Sequence, residues 1–356
     1  MTRVLRVDAE NPDSAILNEA ASVLVNGGLV AFPTETVYGL GAHALDTDAV
    51  ERIFRAKGRP ATDPVIVHLA SVDQLTSVAR NVPSITAALA EAFWPGALTL
   101  ILEKQAAVPD AVTATLPTVA VRVPSHLVAH RLLTAVGIPI AAPSANRFSR
   151  PSPTTAAHVL DDLDGRIDLV LDAGPAPIGV ESTILDLTVS PPVVRRPGGV
   201  SLNDLRELLP DVRHGSAMLD ASVAQLAPGQ LHRHYAPAAR VTLYRGALDA
   251  VTERIGEDAR SAAAAGARVG VLAPEEDLRA LAPRLAAAAA AGRVSTARYG
   301  SRRDSAAAAR DLFEALRTLD ASGVDVILAS APEHGDLAEA VIDRLTRAAE
   351  GRVVKL

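Results

Sequence analysis

Residues 29–41 read LVAFPTETVYGLG. The apolar run 29–32 has the length of a short buried strand, and Pro33 ends it because proline cannot continue a ladder. The polar, glycine-bearing segment that follows, PTETVYGLGAHA, is expected as a loop. It sets Thr34, Glu35 and Thr36 at the carboxyl edge of a strand, where open α/β sheets form ligand crevices. A turn rich in capping residues has the same composition. Gly39-x-Gly41-x-x-Ala44 spells a dinucleotide fingerprint, but its glycines begin seven residues past Phe32 rather than at the strand end, so that reading is rejected. A Gly-x-x-x-x-Gly-Lys-Ser/Thr run is absent, so any ATP is bound without a P-loop.

Around this segment the pattern is mixed. Leu17, Ala20, Ala21 and Leu24 form a helical stripe over 14–26, with Ser14 as N-cap and Gly27 as stop. A second helix starts near Asp46, shows Val50, Ile53 and Phe54 on one face, and stops at Gly58. Lys57 and Arg59 therefore sit at a helix exit. Strands are expected at 98–102, 119–123, 138–142, 168–172, 182–187 and 193–196, and helices at 126–136 and 152–163. Ser201 with Asp204 forms a capping-box pattern. This mixture predicts an α/β domain built on one twisted sheet over 1–210. Residues 211–240 lose periodicity and read as an ordered linker. From 241 strands alternate with helices to 356, predicting a smaller parallel-sheet domain.

Composition narrows the function. Hydrophobic residues make up 49% of 356 and aromatic ones 3%, so the cores are aliphatic. There is no cysteine, which excludes disulfides, thiolate metal sites and a cysteine nucleophile. The N-terminus, MTRVLRVDAENPDS, lacks an apolar signal core, and no apolar run reaches membrane-spanning length; a cytoplasmic protein with no membrane partner is expected. The net charge of −6 falls on 1–210, with 16 Lys+Arg against 22 Asp+Glu, while 211–356 has 19 of each. Broad phosphate-backbone binding is disfavoured, although a local basic groove stays open. Lysine occurs three times against 32 arginines, so Lys57 marks a place where an ammonium is wanted.

Chemistry-bearing residues recur after strands. KGRPATDPVIVH (57–68) brings two cations, Asp63 and His68 together; APSANRFSRPSPTTAAHV (142–159) carries Ser144, Asn146 and Ser152 ahead of a helix N-terminus, a neutral setting for an anion. ESTILDL (181–187) and VVRRPGG (193–199) add Ser182 and Arg196. Each segment alone also reads as a capped turn or solvated helix end. His232 and His234 in HRHYAP lack a third spaced ligand, so no protein-held metal is expected. Neither a Ser-His-Asp order nor a close acidic pair occurs, so positioning and charge neutralisation are favoured over a covalent nucleophile.

Taken together, PTETVYGLG, KGRP, PSAN followed by PSPTTAAHV, ESTILDL, RPG and HYAP resemble the YrdC-like threonylcarbamoyl-AMP synthase family over residues 10–237. The segment beyond resembles the extra domain of its longer members. The resemblance implies a YrdC-like open twisted sheet, a linker over 211–240 folding back over the active site, and a Rossmann-like domain over 241–356. It implies that L-threonine, bicarbonate and ATP, with Mg²⁺, give threonylcarbamoyl-AMP and pyrophosphate. Downstream threonylcarbamoyl-transfer proteins then modify an adenosine beside the anticodon of certain tRNAs, so tRNA is an indirect partner. Carried over by motif, Thr36, His68, Arg122, Ala142 and Ser182 surround threonine. Arg59, Asp63, Thr118, Ser144, Ser152, Arg196 and Tyr235 hold the nucleotide, and Lys57, Arg59, Ser144 and Asn146 serve catalysis. Two positions depart from the family: Asp63 stands where Asn is expected, and Ser149 where Gly is common. The competing expectations are an RNA-binding or ribosome-assembly protein and a carbamoyltransferase with another acceptor.

Overall fold

The computed structural model describes residues 1–215, 225–229 and 234–356. The chain divides into two compact units, Met1–Phe148 with Ser152–Leu231, and Ser149–Pro151 with His232–Leu356. The expected linker, 211–240, straddles that division, and His232, set aside above as a metal ligand, lies outside the described residues.

In the first unit the order is β1 (Arg3–Arg6), α1 (Ser14–Val25), β2 (Val30–Phe32), β3 (Gly39–His43), α2 (Thr47–Lys57), β4 (Ile66–His68), β5 (Ala79–Arg80) and α3 (Ile85–Phe93). It continues with β6 (Leu98–Lys104), α4 (Asp110–Thr113), β7 (Thr118–Arg122), α5 (Leu127–Val136), β8 (Ile140–Ala141) and α6 (Ala156–Leu163). β9 (Leu169–Asp172), β10 (Thr183–Asp186), β11 (Val193–Arg196), α7 (Leu202–Leu208) and β12 (Arg213–His214) complete it. Among the described residues these strands form one mixed sheet, ordered β1-β9-β2-β3-β8-β4-β7-β6-β10-β11-β12, with β5 beside β6.

Two expectations are corrected. PTETVYGLGAHA is not loop throughout: Gly39–His43 is a strand antiparallel to β2, with Ala31 opposite Leu40. Its sequence lacks β-branched residues, and pairing with β2 and β8 overrides the weak local preference. The N-cap of α1 is Asp13, whose side chain accepts from the Ala15 N–H, rather than Ser14. The capping box between Ser201 and Asp204 is present.

Alternation sorts the central strands into two faces. Val67, Leu100, Val119, Val121 and Leu185 point into the main core, while Ile66, Ile101, Ala120 and Ile184 share the opposite face with Ala227. His68 and Arg122 are register partners on that second face, two residues beyond Ile66 and Ala120. Thr99 and Ser182 fall on it by the same alternation. Arg196 joins them through a register irregularity: Ile184 pairs with Arg196, whereas Leu185 pairs with Val194. Without that slip Arg196 would point to the main core.

The second unit alternates strictly: β13 (Arg240–Arg245), α8 (Leu248–Ala264), β14 (Val269–Ala273), α9 (Glu275–Ala290), β15 (Val294–Arg298), α10 (Ser305–Ala321), β16 (Val326–Ser330), α11 (Ala338–Ala348) and β17 (Val353–Lys355). All pairings are parallel, in the order β15-β14-β16-β13-β17. Among the described residues no helix is long and apolar enough to cross a membrane.

Candidate functional site

Local sequence fixes the cations first. Asp46 caps α2 by accepting from the Asp48 and Ala49 N–H groups, and Gly58 closes it in the left-handed region with φ 66°. A glycine takes that conformation without Cβ strain. Lys57 thus ends the helix with its side chain buried rather than solvated. Its Nζ donates to the Ser144 carbonyl at 2.6 Å and to the Asn146 carbonyl. The Ser144 hydroxyl bonds the Asn146 side chain, so one ammonium organises the whole Ser-Ala-Asn turn.

Arg59 turns back on its own chain. Its Nε donates to the Asp63 carbonyl at 2.9 Å, its Nη2 to the Pro64 carbonyl at 2.6 Å, and Nη2 lies 2.9 Å from the Asp63 carboxylate. Asp63 is fully buried. Burial pushes its carboxyl up, and Arg59, Lys57 and Arg196 together oppose that shift without cancelling it. Arg196 reaches the same neighbourhood from β11; its Nη2 donates to the Ser182 carbonyl at 2.9 Å and to the Ser182 hydroxyl at 3.2 Å. The Ser182 hydroxyl also bonds Thr99 at 2.7 Å.

A second group forms around Arg122. Its Nη1 donates to the Thr36 hydroxyl at 2.9 Å, its Nε to the Gly96 carbonyl at 3.0 Å, and its Nη2 pairs with the Glu35 carboxylate at 2.6 Å. Burial raises the Glu35 carboxyl, but the attraction and hydrogen bonding of Arg122, with backbone N–H groups, bring it below its ordinary range. His68 stands beside Arg122 and edge-on to Phe32. Burial and then the neighbouring guanidinium lower it to about 3, so its imidazole is neutral near pH 7.

The connecting loops lock the two groups together. The Ile178 and Gly179 N–H groups donate to the Glu35 and Thr36 carbonyls, Ala145 N–H to the Tyr38 carbonyl, and Phe148 N–H to the Lys57 carbonyl. The Ser152 hydroxyl donates to Glu181. Gly198 lies flat against the neighbouring loop, where an added Cβ would come within 2.3 Å of the Glu181 carbonyl. Residues 225–229 lie over the same face: Gln225 N–H donates to the Thr62 carbonyl at 2.9 Å, Ala227 packs on Ile66 and Ile184, and the Pro228 carbonyl accepts from Arg196.

The structure therefore joins Lys57, Ser144 and Asn146; Arg59, Asp63 and Arg196; and Thr36, His68 and Arg122, with Ser182 touching Arg196. Ala142 sits just past β8, its N–H donating to the Ile66 carbonyl at 2.8 Å. Thr118 is at the opposite end of β7 from Arg122. Tyr235 belongs to the second unit, where its ring lies 5.5 Å from Phe313 and Arg344 stands over it. Glu181 is a buried acid that the motifs did not single out, and Glu35, placed at the strand end by its sequence, had no role assigned to it. Each sits inside a quoted motif, and its partner is supplied only by the fold.

Asp63 yields a pH prediction. A carboxyl raised on folding gives stability that is present below its ordinary value of 3.8 and lost as pH rises through the folded value. Asp63→Asn cannot ionise, so its thermal midpoint is expected to vary less than the parent's between about pH 4 and 8. Parallel stability curves would show that Asp63 does not titrate in the folded state.

Residues 22–198 match the Sua5/YciO/YrdC family model, described as telomere recombination, and residues 200–350 match the model for the threonylcarbamoyl-AMP synthase C-terminal domain. The chain is 44% identical over 339 residues to a threonylcarbamoyl-AMP synthase of Pyrococcus abyssi, covering 95% of each. It is 42% identical over 338 residues to the Bacillus subtilis protein of that name, covering 95% of this chain and 94% of the relative. The solved structure of Pyrococcus abyssi Sua5 complexed with L-threonine superposes with a TM-score of 0.90 at 42% identity, covering all of both chains.

Proposed function

The chain belongs to the threonylcarbamoyl-AMP synthase family, and from that premise we propose how its first unit makes L-threonylcarbamoyl-AMP and pyrophosphate from L-threonine, bicarbonate and ATP. It is an enzyme of the nucleotidyltransferase type. The observation that carries the assignment of residues is the shared sheet face. Arg122 with Glu35 and Thr36 stands at one end, and Arg196, Asp63 and Arg59 at the other.

Arg122 takes the threonine carboxylate, a planar acceptor suited to a guanidinium fork. Glu35 orients that guanidinium and offsets part of its charge. His68, neutral, lies beside the amine without repelling it, and Thr36, Ser182 and the backbone at Ala142 complete the pocket. The amine adds to the carbon of bicarbonate, water leaves, and a carbamate forms. A carbamate oxygen then attacks the α-phosphorus of ATP; the bond to the bridging oxygen breaks and pyrophosphate departs. Lys57, Arg59 and Arg196 neutralise charge that grows on the phosphates, while Ser144, Asn146, Ser152 and Thr118 hold the nucleotide.

Mg²⁺ enters as part of the nucleotide substrate. Its chemistry there would be to bridge phosphate oxygens and offset their charge as pyrophosphate departs. The mixed anhydride is reactive, and we assign its use to threonylcarbamoyl-transfer proteins acting on tRNA.

Incubating the full chain with ATP, bicarbonate and labelled threonine, then measuring product mass, tests this directly. The mixed anhydride and pyrophosphate are expected only when all three substrates are present. Turnover that is indifferent to threonine but follows another amino acceptor would assign the chemistry to a different carbamoyl transfer.

A further inference from the structure

The mechanism above uses nothing from α10, yet three of its residues share one stripe. Phe313, Arg317 and Asp320 are spaced four and three apart, so they face the same way. Phe313 packs on Tyr235. Arg317, nearly buried, donates its Nη2 to the Pro151 carbonyl at 2.6 Å. Asp320 accepts from the Ala238 N–H at 2.7 Å through one oxygen, and its other oxygen lies 3.5 Å from Arg150.

These partners fall on two short segments. One is Ser149–Pro151, which packs with the second unit although the chain on either side of it, Phe148 and Ser152, belongs to the first. The other is 234–238. They are bonded to each other, the Ala236 N–H donating to the Ser149 carbonyl at 2.7 Å. Ser149 and Tyr235 both have positive φ, 65° and 59°, a conformation that costs any residue with a Cβ. Side chains held so at neighbouring positions indicate that surrounding contacts impose the conformation.

We propose that this stripe of α10 is a clamp, with Arg317 a positioning residue for the nucleotide. By holding Ser149–Pro151, α10 fixes the loop whose flanks carry Ser144, Asn146 and Ser152. This rests on the assignment of those three residues to ATP. Arg317 touches no substrate; it acts through the Pro151 carbonyl. The C-terminal unit thereby sets nucleotide affinity through the continuity of the chain.

The test compares the full-length protein with Arg317→Ala, Arg317→Lys and Arg310→Ala, the last an exposed position on the same helix. Amide hydrogen exchange over 144–155 is followed without ligand, and KM is measured separately for ATP and threonine. Arg317→Ala is expected to speed exchange in that loop and raise the KM for ATP about tenfold, with the threonine KM within about twofold. Lysine should restore most of the loss, because an ammonium still offers a charged donor to the Pro151 carbonyl. Arg310→Ala should change neither. If Arg317→Ala does not fold, Asp320→Asn, which weakens the hold on Arg150 and Ala238, takes its place with the same expected direction.

Unchanged exchange over 144–155 would overturn the clamp. So would a parallel rise in both KM values with a lower melting temperature, which is the mark of a purely structural role. Faster exchange with an unmoved ATP KM also overturns the proposal, and Ser152→Ala locates the fault. If Ser152→Ala raises the ATP KM, the clamp is wrong; if it does not, the assignment of the loop to ATP is wrong.

Discussion

Arg122→Ala is expected to raise the KM for threonine by about two orders of magnitude and to lower stability by about 3–5 kcal/mol. The two effects have one origin. Arg122 and Glu35 form an ion pair with side chains 4% and 8% exposed, so removing the guanidinium strands a carboxylate away from water. The hydrogen bonds to Thr36 and Gly96 are lost with it. Glu35→Gln in the Arg122→Ala background should recover part of the stability, because the stranded charge is gone, but none of the threonine affinity. The pH dependence has a definite sign. Glu35 is lowered on folding, so its contribution is present above its ordinary 4.5 and is lost as pH falls through the folded value. Thermal unfolding across acid pH, with threonine-dependent pyrophosphate release, measures both parts. Normal threonine saturation in Arg122→Ala would remove this residue from the binding site.

Lys57→Ala is expected to reduce kcat by about two to three orders of magnitude, the scale of losing a preorganised charge at a reacting phosphate. The geometry adds a second consequence that the sequence did not reveal. Lys57 is buried and donates to the Ser144 and Asn146 carbonyls, so the substitution also leaves two carbonyls short of a donor and loosens the turn between them. A lower melting temperature is therefore expected alongside the lost turnover. Lys57→Arg should rescue little: a planar fork cannot replace a compact ammonium whose bonds converge on two carbonyls of one turn. Single-turnover formation of the adenylate, read with saturating substrates, separates the catalytic loss from weaker binding. Turnover in Lys57→Ala near the parent's would exclude an essential charge at this position.

Much of the architecture was legible where signals are local. The caps of α2, the Ser201–Asp204 box and the alternation beyond 241 depend on residues a few positions apart, and those elements stand where the pattern puts them. What stayed hidden depends on distant partners. Gly39–His43 is a strand because β2 and β8 flank it, not because its residues favour one. Arg196 faces the candidate site only through the register slip between β10 and β11. Glu35 sits inside PTET, but 86 residues separate its neighbour Thr36 from Arg122, and no spacing rule links them. Lys57 stood out by composition, yet its burial against Ser144 and Asn146 needs the fold to bring residue 57 to residue 146. The grip of α10 on Pro151 spans 166 residues.

The proposed function requires threonine and the triphosphate to meet on the sheet face shared by His68, Arg122, Ser182 and Arg196. A crystal structure of the full chain with L-threonine and a non-hydrolysable ATP analogue measures this most directly. The threonine carboxylate is expected on Arg122, with the phosphates beside Lys57, Arg59 and Arg196 across that same face. Ligands resting on opposite faces of the sheet, or a triphosphate held away from all three cations, would contradict it.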